Sequence, residues 1–268
     1  LKVFCPQLIS EYSDTLSGYS TEYLNLESLS ELFVFGRLPY FVWEQILESC
    51  GNFLNFSSQH LRREVSSDEL YGTYFEKTMG RIRNFSDQIN LKLKEELSVS
   101  GEKCPSIEKI VENCFTQIVQ SHLSEGCLIH GDFCFSNILM DFRSMRIKLV
   151  DPRGSDWTGH FSLTGDFRYD LAKLGHSAIG LYDSIISGRY DVLRCGNDFR
   201  LEVFDPSKGE VGKILKRVRV NGRNYSDWDI EPIVILLFLS MLPLHRDDER
   251  RQMAFLANAL KLYREWEK

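Results

Sequence analysis

The 268-residue chain has 43% hydrophobic and 26% charged residues, proportions typical of a folded globular protein, which excludes general disorder. Its formal net charge is −6, and no stretch is dense in Lys and Arg, so nucleic acid is not expected as a partner. The longest apolar run, Ile233 to Leu244, is shorter than the roughly 20 residues that span a bilayer. It predicts a buried helix, and no membrane partner is expected.

The cysteines favour a reducing compartment. All seven are scattered without a C-x-x-C pair, and their odd number fits neither a disulfide framework nor a zinc site. We therefore expect a cytoplasmic protein. The chain begins Leu1-Lys2-Val3, with no charged-then-apolar leader, and is interpreted as a fragment of a longer protein without a targeting peptide.

The first half of the chain is predicted to hold one hairpin followed by helices. Two apolar and aromatic runs between Gln7 and Tyr23 flank Ser17-Gly18, a pattern that favours a hairpin. Helices are predicted over 39–56 and 68–89, and the polar stretch 92–105 is interpreted as a loop. Ser106 is expected to cap a helix that ends near Gly126. Its predicted inner stripe consists of Ile107, Ile110, Val111, Cys114, Ile118 and Val119.

The second half is predicted to begin with a short hairpin. Residues 137–140 and 147–150 form two apolar runs joined by a polar turn, which indicates two paired strands. A helix is predicted from Asp166 to about Ile186, followed by an irregular stretch up to Asp205. Two helices, 227–242 and 247–266, are predicted to end the chain.

Polar residues with the chemistry of phosphoryl transfer surround this hairpin. Phosphoryl transfer requires an oriented acceptor hydroxyl, neutralised phosphate charge, and donor and acceptor held in line. The carbonyl of Asn137 and the carboxylate of Asp151 are hard oxygen ligands of the kind that Mg²⁺ prefers. Asp132, five residues before Asn137, is predicted to act as the hydroxyl-orienting base.

These residues carry a resemblance to a known family. The runs His130 to Leu139 and Val150 to Gly154 resemble the catalytic and metal-binding loops of the aminoglycoside phosphotransferase and choline kinase family, which has a protein-kinase-like fold. Gly165-Asp166-x3-Asp170-Leu171-Ala172 matches a further element, the start of a helix beneath the catalytic loop. The resemblance implies an α+β fold with a remnant of the N-terminal lobe sheet over 1–25 and a mainly helical C-terminal lobe over 26–268.

The family resemblance implies specific roles. Asp132 would be the catalytic base, Asn137 and Asp151 would bind magnesium, and His130 and Asp170 would support the catalytic loop. Glu22-Tyr23-Leu24 resembles the hinge that holds adenine, with Leu139 and Val150 beneath the ring. These predicted site residues include polar and apolar side chains, and most of them lie close to one of the two predicted hairpins.

The implied reaction is Mg²⁺-dependent transfer of the ATP γ-phosphate to a hydroxyl of a small molecule, such as a sugar, an amino alcohol or an aminoglycoside. The net negative charge is compatible with a cationic acceptor. Family members carry a glycine-rich turn and a strand lysine before the hinge, and the six residues before Gln7 cannot hold them. We therefore expect this ATP clamp upstream, in a further part of the same polypeptide.

Other interpretations stay open from the sequence. The constellation could be a polar turn, with Asp132 capping backbone N–H groups, and Arg153 could contact phosphate or pair with surface acids. Cys134 could be a nucleophile, but a buried inert thiol is favoured. A catalytically silent kinase-like module is the main alternative function, and a metallophosphoesterase is weaker because no second metal site follows the motif.

Two clusters have simpler structural explanations. His245-Arg246-Asp247-Asp248 could line a substrate pocket, but Asp247 as a helix N-cap explains it. Tyr12, Tyr19 and Tyr23, with Phe33 and Phe35, are expected to pack in the core and hinge rather than form an aromatic platform.

Overall fold

A computed structural model describes residues 2–13, 17–89, 92–204, 207 and 209–268. Helices form most of the molecule, and the strands form five small sheets within the described residues. The helices are α1 (Leu29–Val34), α2 (Tyr40–Ser57), α3 (Ser67–Leu70), α4 (Lys77–Ile89), α5 (Ile107–Gln120), α6 (Arg168–Ala178), α7 (Tyr182–Ile186), α8 (Glu210–Arg217), α9 (Glu231–Met241) and α10 (Glu249–Trp266). A π-helical segment, Tyr71–Glu76, joins α3 to α4.

The strands are short. They are β1 (Leu8–Ser13), β2 (Ser17–Thr21), β3 (Glu27–Ser28), β4 (Leu97–Val99), β5 (Glu102–Cys104), β6 (Gly126–Leu128), β7 (Ile138–Asp141), β8 (Arg146–Leu149), β9 (Thr164–Asp166), β10 (Tyr190–Cys195), β11 (Asp198–Val203), β12 (Arg219–Val220) and β13 (Arg223–Asn224). The strand orders are β1-β2, β3-β7-β8, β10-β11-β4-β5, β6-β9 and β12-β13. All neighbouring strands are antiparallel except β11 and β4.

The core is built around α9. Every residue from Pro232 to Ser240 is buried, and the helix packs against α4, α5, α6 and α10. A helix that is apolar on all sides is stable in water only when other elements cover all of its faces. The prediction of a buried helix in this run is confirmed. None of the helices in the described ranges is long and apolar enough to cross a bilayer.

The predicted hairpin over residues 137–150 is confirmed. β7 and β8 pair in the register Ile138↔Leu149 and Met140↔Ile147, and these four side chains are buried on one face. The period of two along each strand places Leu139 and Lys148 on the other face. β3 extends the sheet by pairing with β7.

The first hairpin forms but lies largely in solvent. β1 and β2 pair antiparallel, and residues 14–16 between them lie outside the described residues. The segment before β1 is held to the body of the molecule, because Leu149 N donates to Phe4 O at 2.7 Å and the Phe4 ring packs on Phe53. Tyr12, Tyr19 and Tyr23 are exposed, so the expectation that they pack in the core is wrong.

Two stretches that were predicted to be irregular contain strands. Within 92–105 the chain forms β4 and β5, and before Asp205 it forms the β10–β11 hairpin. Phe199 of β11 pairs with Val99 of β4, so the four strands complete one sheet across about a hundred residues of sequence. The pairing of β11 with β4 joins remote segments, which local patterning does not indicate. The β4–β5 and β10–β11 pairings are local hairpins, and the Gly196-Asn197 turn between β10 and β11 is a hairpin signal that the prediction of an irregular stretch overlooked.

Several helix boundaries also differ from the predictions. The predicted helix from Asp166 is two helices, α6 and α7, because Leu181 adopts a left-handed backbone conformation with φ 57°. Ser106 caps α5 as predicted, but Val119 is exposed. The N-cap of α10 is Asp248, whose side chain accepts from Arg251 N, and not Asp247.

Candidate functional site

The loop that holds Asp132 is anchored by two buried phenylalanines. Phe133 packs on Phe53 with ring centroids 4.9 Å apart, and Phe135 stacks on Trp43 at 5.8 Å. Both phenylalanines are fully buried, whereas Asp132 between His130 and these anchors is only partly covered. The buried rings of Phe133 and Phe135 therefore fix the loop, while the carboxylate of Asp132 stays accessible.

Asp170, at the start of α6, lies beneath this loop. Its two carboxylate oxygens accept from the backbone N–H groups of His130 at 2.7 Å and Gly131 at 2.8 Å. Burial raises the pKa of Asp170, although His130 and these two N–H groups act in the opposite direction. Gly131 adopts φ +78°, and a Cβ there would lie 2.7 Å from Cβ of Arg153, so only glycine fits at this turn.

The His130 imidazole links the loop to the strand that follows it. Its Nδ1 accepts from Asp132 N at 3.3 Å, which leaves Nε2–H to donate to Val150 O at 3.0 Å. The tautomer is assigned from these two hydrogen bonds. The two ring nitrogens thus connect the loop at Asp132 to the end of β8.

Asp132 is paired with a lysine and an asparagine. Its Oδ1 lies 2.6 Å from Nζ of Lys173, and its Oδ2 accepts from Nδ2 of Asn137 at 3.0 Å. Burial acts to raise the pKa of Asp132, but the ammonium of Lys173 outweighs it and holds that pKa below its ordinary value. Asp132 is therefore a carboxylate at neutral pH.

Asn137 and Asp151 lie at the same end of the β7–β8 hairpin. Val150 N donates to Asn137 O at 3.1 Å, which places Asp151 one residue from this contact. Asp151 has φ 57°, an uncommon left-handed conformation for a non-glycine residue that Asp tolerates better than most. Its side chain is exposed and forms no hydrogen bond or ion pair with other residues in the described part of the chain.

The donor set at this end suits a hard cation. Nδ2 of Asn137 donates to Asp132, and its Oδ1 accepts from Ser136 Oγ at 3.4 Å and keeps a second lone pair. The Asp151 carboxylate has no protein partner within the described ranges. One amide oxygen and one carboxylate are adequate for Mg²⁺, which keeps water and phosphate ligands. No group of three or more His, Cys, Asp or Glu side chains converges on a metal position in the ranges the structure describes.

A cleft of about 1250 Å³ separates the first hairpin from this end of the site. His130, Val150 and Asp151 line it from below, and Tyr12 and Tyr19 line it from the hairpin side. Seven of the predicted site residues that the structure describes do not line this cleft: Glu22, Tyr23, Leu24, Leu139, Asp132, Asn137 and Asp170. Glu22 instead closes the hairpin, because its N–H donates to Gln7 O at 2.9 Å.

Cys134 and Arg153 lie next to these residues, and the structure shows what surrounds each of them. Burial raises the pKa of the Cys134 thiol to about 11, so the thiol is protonated at neutral pH and is not an activated nucleophile. Arg153 forms no ion pair with a surface acid in the described residues, and its Nη1 donates to Tyr169 Oη at 3.3 Å.

Lys173 is the residue of this site that the sequence reasoning missed. It lies three positions after Asp170 on α6, and residues three apart share a helix face. Asp170 is predicted to lie beneath the loop that holds Asp132. The three-residue spacing then predicts that Lys173 faces the same loop. The signal was available but required knowing the orientation of α6.

The comparisons with known proteins do not assign a family. No family model matches the sequence, and no curated protein matches it. Among 19 matching chains of solved structures is the crystal structure of an aminoglycoside-3'-phosphotransferase of type VIII. It is 13% identical with a TM-score of 0.37, over 98% of this chain and 74% of that chain. At this level the similarity carries no argument about family or function, and the class established here is a mixed α and β protein that is mainly helical.

Removal of Lys173 is expected to shift the pH profile of any reaction that depends on ionised Asp132. In Lys173→Met the cation that lowers the pKa of Asp132 is lost while its burial remains, so that pKa rises. Because the carboxylate is the active form, the acidic limb of the kcat/KM profile moves to higher pH. Lys173→Arg restores the charge and is expected to return the limb toward its original position. An unchanged acidic limb in Lys173→Met would contradict the pairing.

Proposed function

We propose that this chain carries a protein-kinase-like site for Mg²⁺-dependent transfer of the ATP γ-phosphate to a hydroxyl of a small molecule. The observation that supports the proposal is that two of the predicted residues are in contact and the third lies one residue from a backbone hydrogen bond to them. Asp132 and Asn137 are joined by a 3.0 Å hydrogen bond, and Asn137 O accepts from the residue before Asp151. A cleft of about 1250 Å³ opens at Asp151 and can hold a nucleotide.

Asp132 orients the acceptor and takes its proton. The acceptor oxygen forms a bond to the γ-phosphorus, the bond from that phosphorus to the β–γ bridging oxygen breaks, and ADP leaves with the electron pair. The hydroxyl proton passes to the Asp132 carboxylate. A loose transition state needs little assistance from a strong base, so the low pKa that Lys173 imposes on Asp132 is compatible with this role.

Asn137 and Asp151 are the residues that would hold Mg²⁺, which when bound neutralises charge on the phosphates. Their own contribution is positional. Asn137 is held by Asp132 through its amide, and Asp151 is held by the backbone turn that follows β8. Both follow or precede the paired strands of one hairpin, so the backbone distance between the two predicted ligands is set by the β7–β8 register.

Val150 and the hairpin tyrosines are proposed to contact the nucleotide, with Glu22, Tyr23 and Leu24 following β2 as its hinge. Val150 lines the cleft directly, and the hinge segment follows Thr21, which also lines it. Backbone groups of an extended segment can hold an adenine edge by hydrogen bonds. Leu139, on the same sheet face as Lys148, is proposed to lie under the base.

The proposal is tested by replacing Asp151. In Asp151→Asn of the natural full-length protein we expect Mg²⁺-dependent ATP turnover to fall by about 100-fold or more, since the anionic ligand is lost. The apparent Mg²⁺ affinity is expected to fall with it. ATP consumption at varied Mg²⁺ concentration is the measurement.

Asp141→Asn is the matched control. Asp141 lies at the opposite end of the same hairpin, where it accepts from Arg143 N and Ser144 Oγ in the turn. The control is expected to keep wild-type turnover. Wild-type turnover in Asp151→Asn would overturn the metal role, and Mg²⁺–ATP binding without any turnover in the wild type would favour a silent nucleotide-binding module.

A further inference from the structure

A second depression, of about 580 Å³, lies beside the catalytic loop and is strongly basic. It is separate from the nucleotide cleft in its lining, since Asp151 lines the cleft and Arg153 lines the depression. The residues that matter here are four cations, one acid and one indole: Lys77, Arg81, Arg83, Arg153, Glu76 and Trp157.

Three of these cations have no carboxylate partner in the part of the chain that the structure describes. Lys77, Arg81 and Arg153 form no ion pair with a carboxylate among the described residues. Lys77 Nζ lies 3.4 Å from Tyr169 Oη, and Arg81 Nη1 donates to Ser240 O at 3.2 Å. Burial lowers the pKa of Lys77, and the nearby charges of Arg153 and Arg81 lower it further. Glu76 is the one acid in the lining, so the positive charges outnumber the negative ones, and bringing such cations together is unfavourable unless an anion binds among them.

The same cations surround Tyr169 and lower its pKa. Its ring is buried, and both Lys77 and Arg153 lie over it at 5.4 Å and 5.8 Å from the ring centroid. Burial acts to raise the pKa of Tyr169, but Lys77, Lys173 and Arg153 outweigh it and lower the pKa to about 8. An anion entering this depression would therefore meet a field already arranged to receive it.

The depression adjoins the catalytic carboxylate. Arg153 N donates to His130 O at 2.9 Å, and Arg153 Cβ packs against Gly131, the residue before Asp132. On α6, Lys173 follows Tyr169 by one helical turn and pairs with Asp132. Arg153 thus contacts the two residues before Asp132, and Tyr169, which contacts Lys77, lies one helical turn from the partner of Asp132.

Trp157 supplies a flat apolar wall. Its indole packs against Gly72 in the π-helical segment, where a Cβ would collide with the ring, and it remains 37% exposed. An exposed indole beside cations suits a ring compound whose apolar face stacks while its charged group reaches the cations.

We propose that this depression is the acceptor site and that the acceptor is a hydroxyl-bearing ring compound, such as a sugar, that carries a phosphate or carboxylate group. The inference rests on the proposed phosphotransferase function and narrows its substrate class. It differs from the cationic acceptor suggested by the net charge of −6, because the local charges next to Asp132 are positive. Overall charge and the charge of one site are independent quantities.

The test is equilibrium binding to the natural full-length protein, saturated with Mg²⁺ and a non-hydrolysable ATP analogue so that the nucleotide cleft is filled. The probes are glucose 6-phosphate, glucuronate, glucose and glucosamine. We expect at least one anionic sugar to bind at least tenfold more tightly than glucose and glucosamine, and the two anionic arms distinguish phosphate from carboxylate. Equal binding of glucose or glucosamine, or no binding of either anionic sugar, would overturn the inference.

Substitutions of residues that line the depression test whether the anionic sugar binds there. Lys77→Met and Arg81→Gln are each expected to weaken binding of the anionic sugar at least tenfold. Lys103→Met, which removes one charge from an exposed position of β5, is the matched control and is expected to change binding less than twofold. Equal affinity in Lys77→Met, Arg81→Gln and Lys103→Met would contradict the site.

The outcomes separate this inference from the proposed function. If anionic sugars bind through Lys77 and Arg81 but no phosphate is transferred from ATP to any of the four sugars, the phosphotransferase proposal fails and the anion site stands. If glucose or glucosamine is phosphorylated and Lys77→Met leaves the rate unchanged, the reaction stands and the anionic acceptor is wrong.

Discussion

Asp132→Asn is expected to lower kcat for phosphoryl transfer by about 10²- to 10⁴-fold, the usual contribution of a positioned general base. The amide keeps the shape of the carboxylate and can still accept from Asn137 Nδ2, but it cannot take the acceptor proton or pair with Lys173. Because Asp132 does not line the cleft, the affinity for ATP is expected to change little. Steady-state turnover and nucleotide binding are the two measurements.

Folding must be shown to be intact in this variant. Asp132 is partly exposed, so its replacement is expected to change the unfolding temperature by only a few degrees. Asp141→Asn again serves as the control for loss of one carboxylate from the same region. Wild-type turnover in Asp132→Asn would remove Asp132 from the reaction and leave the polar-turn interpretation.

Arg168→Met is expected to reduce the free energy of unfolding by about 3–5 kcal/mol, because it leaves the buried carboxylate of Asp166 without its cation. The Arg168 and Asp166 side chains are 0% and 2% exposed and lie 3.0 Å apart. The guanidinium also donates to Ile118 O and to the hydroxyls of Ser121 and Ser124. Urea denaturation monitored by far-UV circular dichroism is the measurement.

Arg200→Met gives the comparison for an exposed arginine. Arg200 is 74% exposed and lies 3.8 Å from Asp198, so its replacement is expected to cost less than about 1 kcal/mol. Adding Asp166→Asn to Arg168→Met removes the unpaired charge and is expected to recover part of the lost stability, with Tyr74 Oη still able to donate at this position. Similar losses for Arg168→Met and Arg200→Met would contradict the account of the buried pair.

The candidate site was predictable where its signal is local in sequence. Asn137 and Asp151 flank two short strands whose apolar alternation predicts a hairpin, and a hairpin brings the two ends of its strands together. The spacing of Asp132 to Asn137 is five residues, which is short enough to keep both on one loop. Ser106 was recognisable as an N-cap for the same reason, because its partner is Lys109 N three residues on.

The remote parts of the site were not predictable in this way. The basic depression joins Lys77 and Arg81 of α4 to Arg153 and to Tyr169 of α6, four residues drawn from three separate segments. Each is an ordinary polar residue in its own segment. The positive potential of the depression arises only because these residues lie close together in space, since the electrostatic potential depends on the distances between charges.

The amino-acid sequence by itself determined the hairpin that presents Asn137 and Asp151, the N-cap of α5 and the burial of α9, because periodicity and short-range hydrogen bonds act between residues that are neighbours along the chain. Only the tertiary structure decided that Lys173 pairs with Asp132, that β11 joins β4, and that a cluster of cations borders the catalytic loop. Those features depend on how whole helices and strands pack against one another, and packing orientation is set by the summed burial of many side chains rather than by any one pattern in the chain.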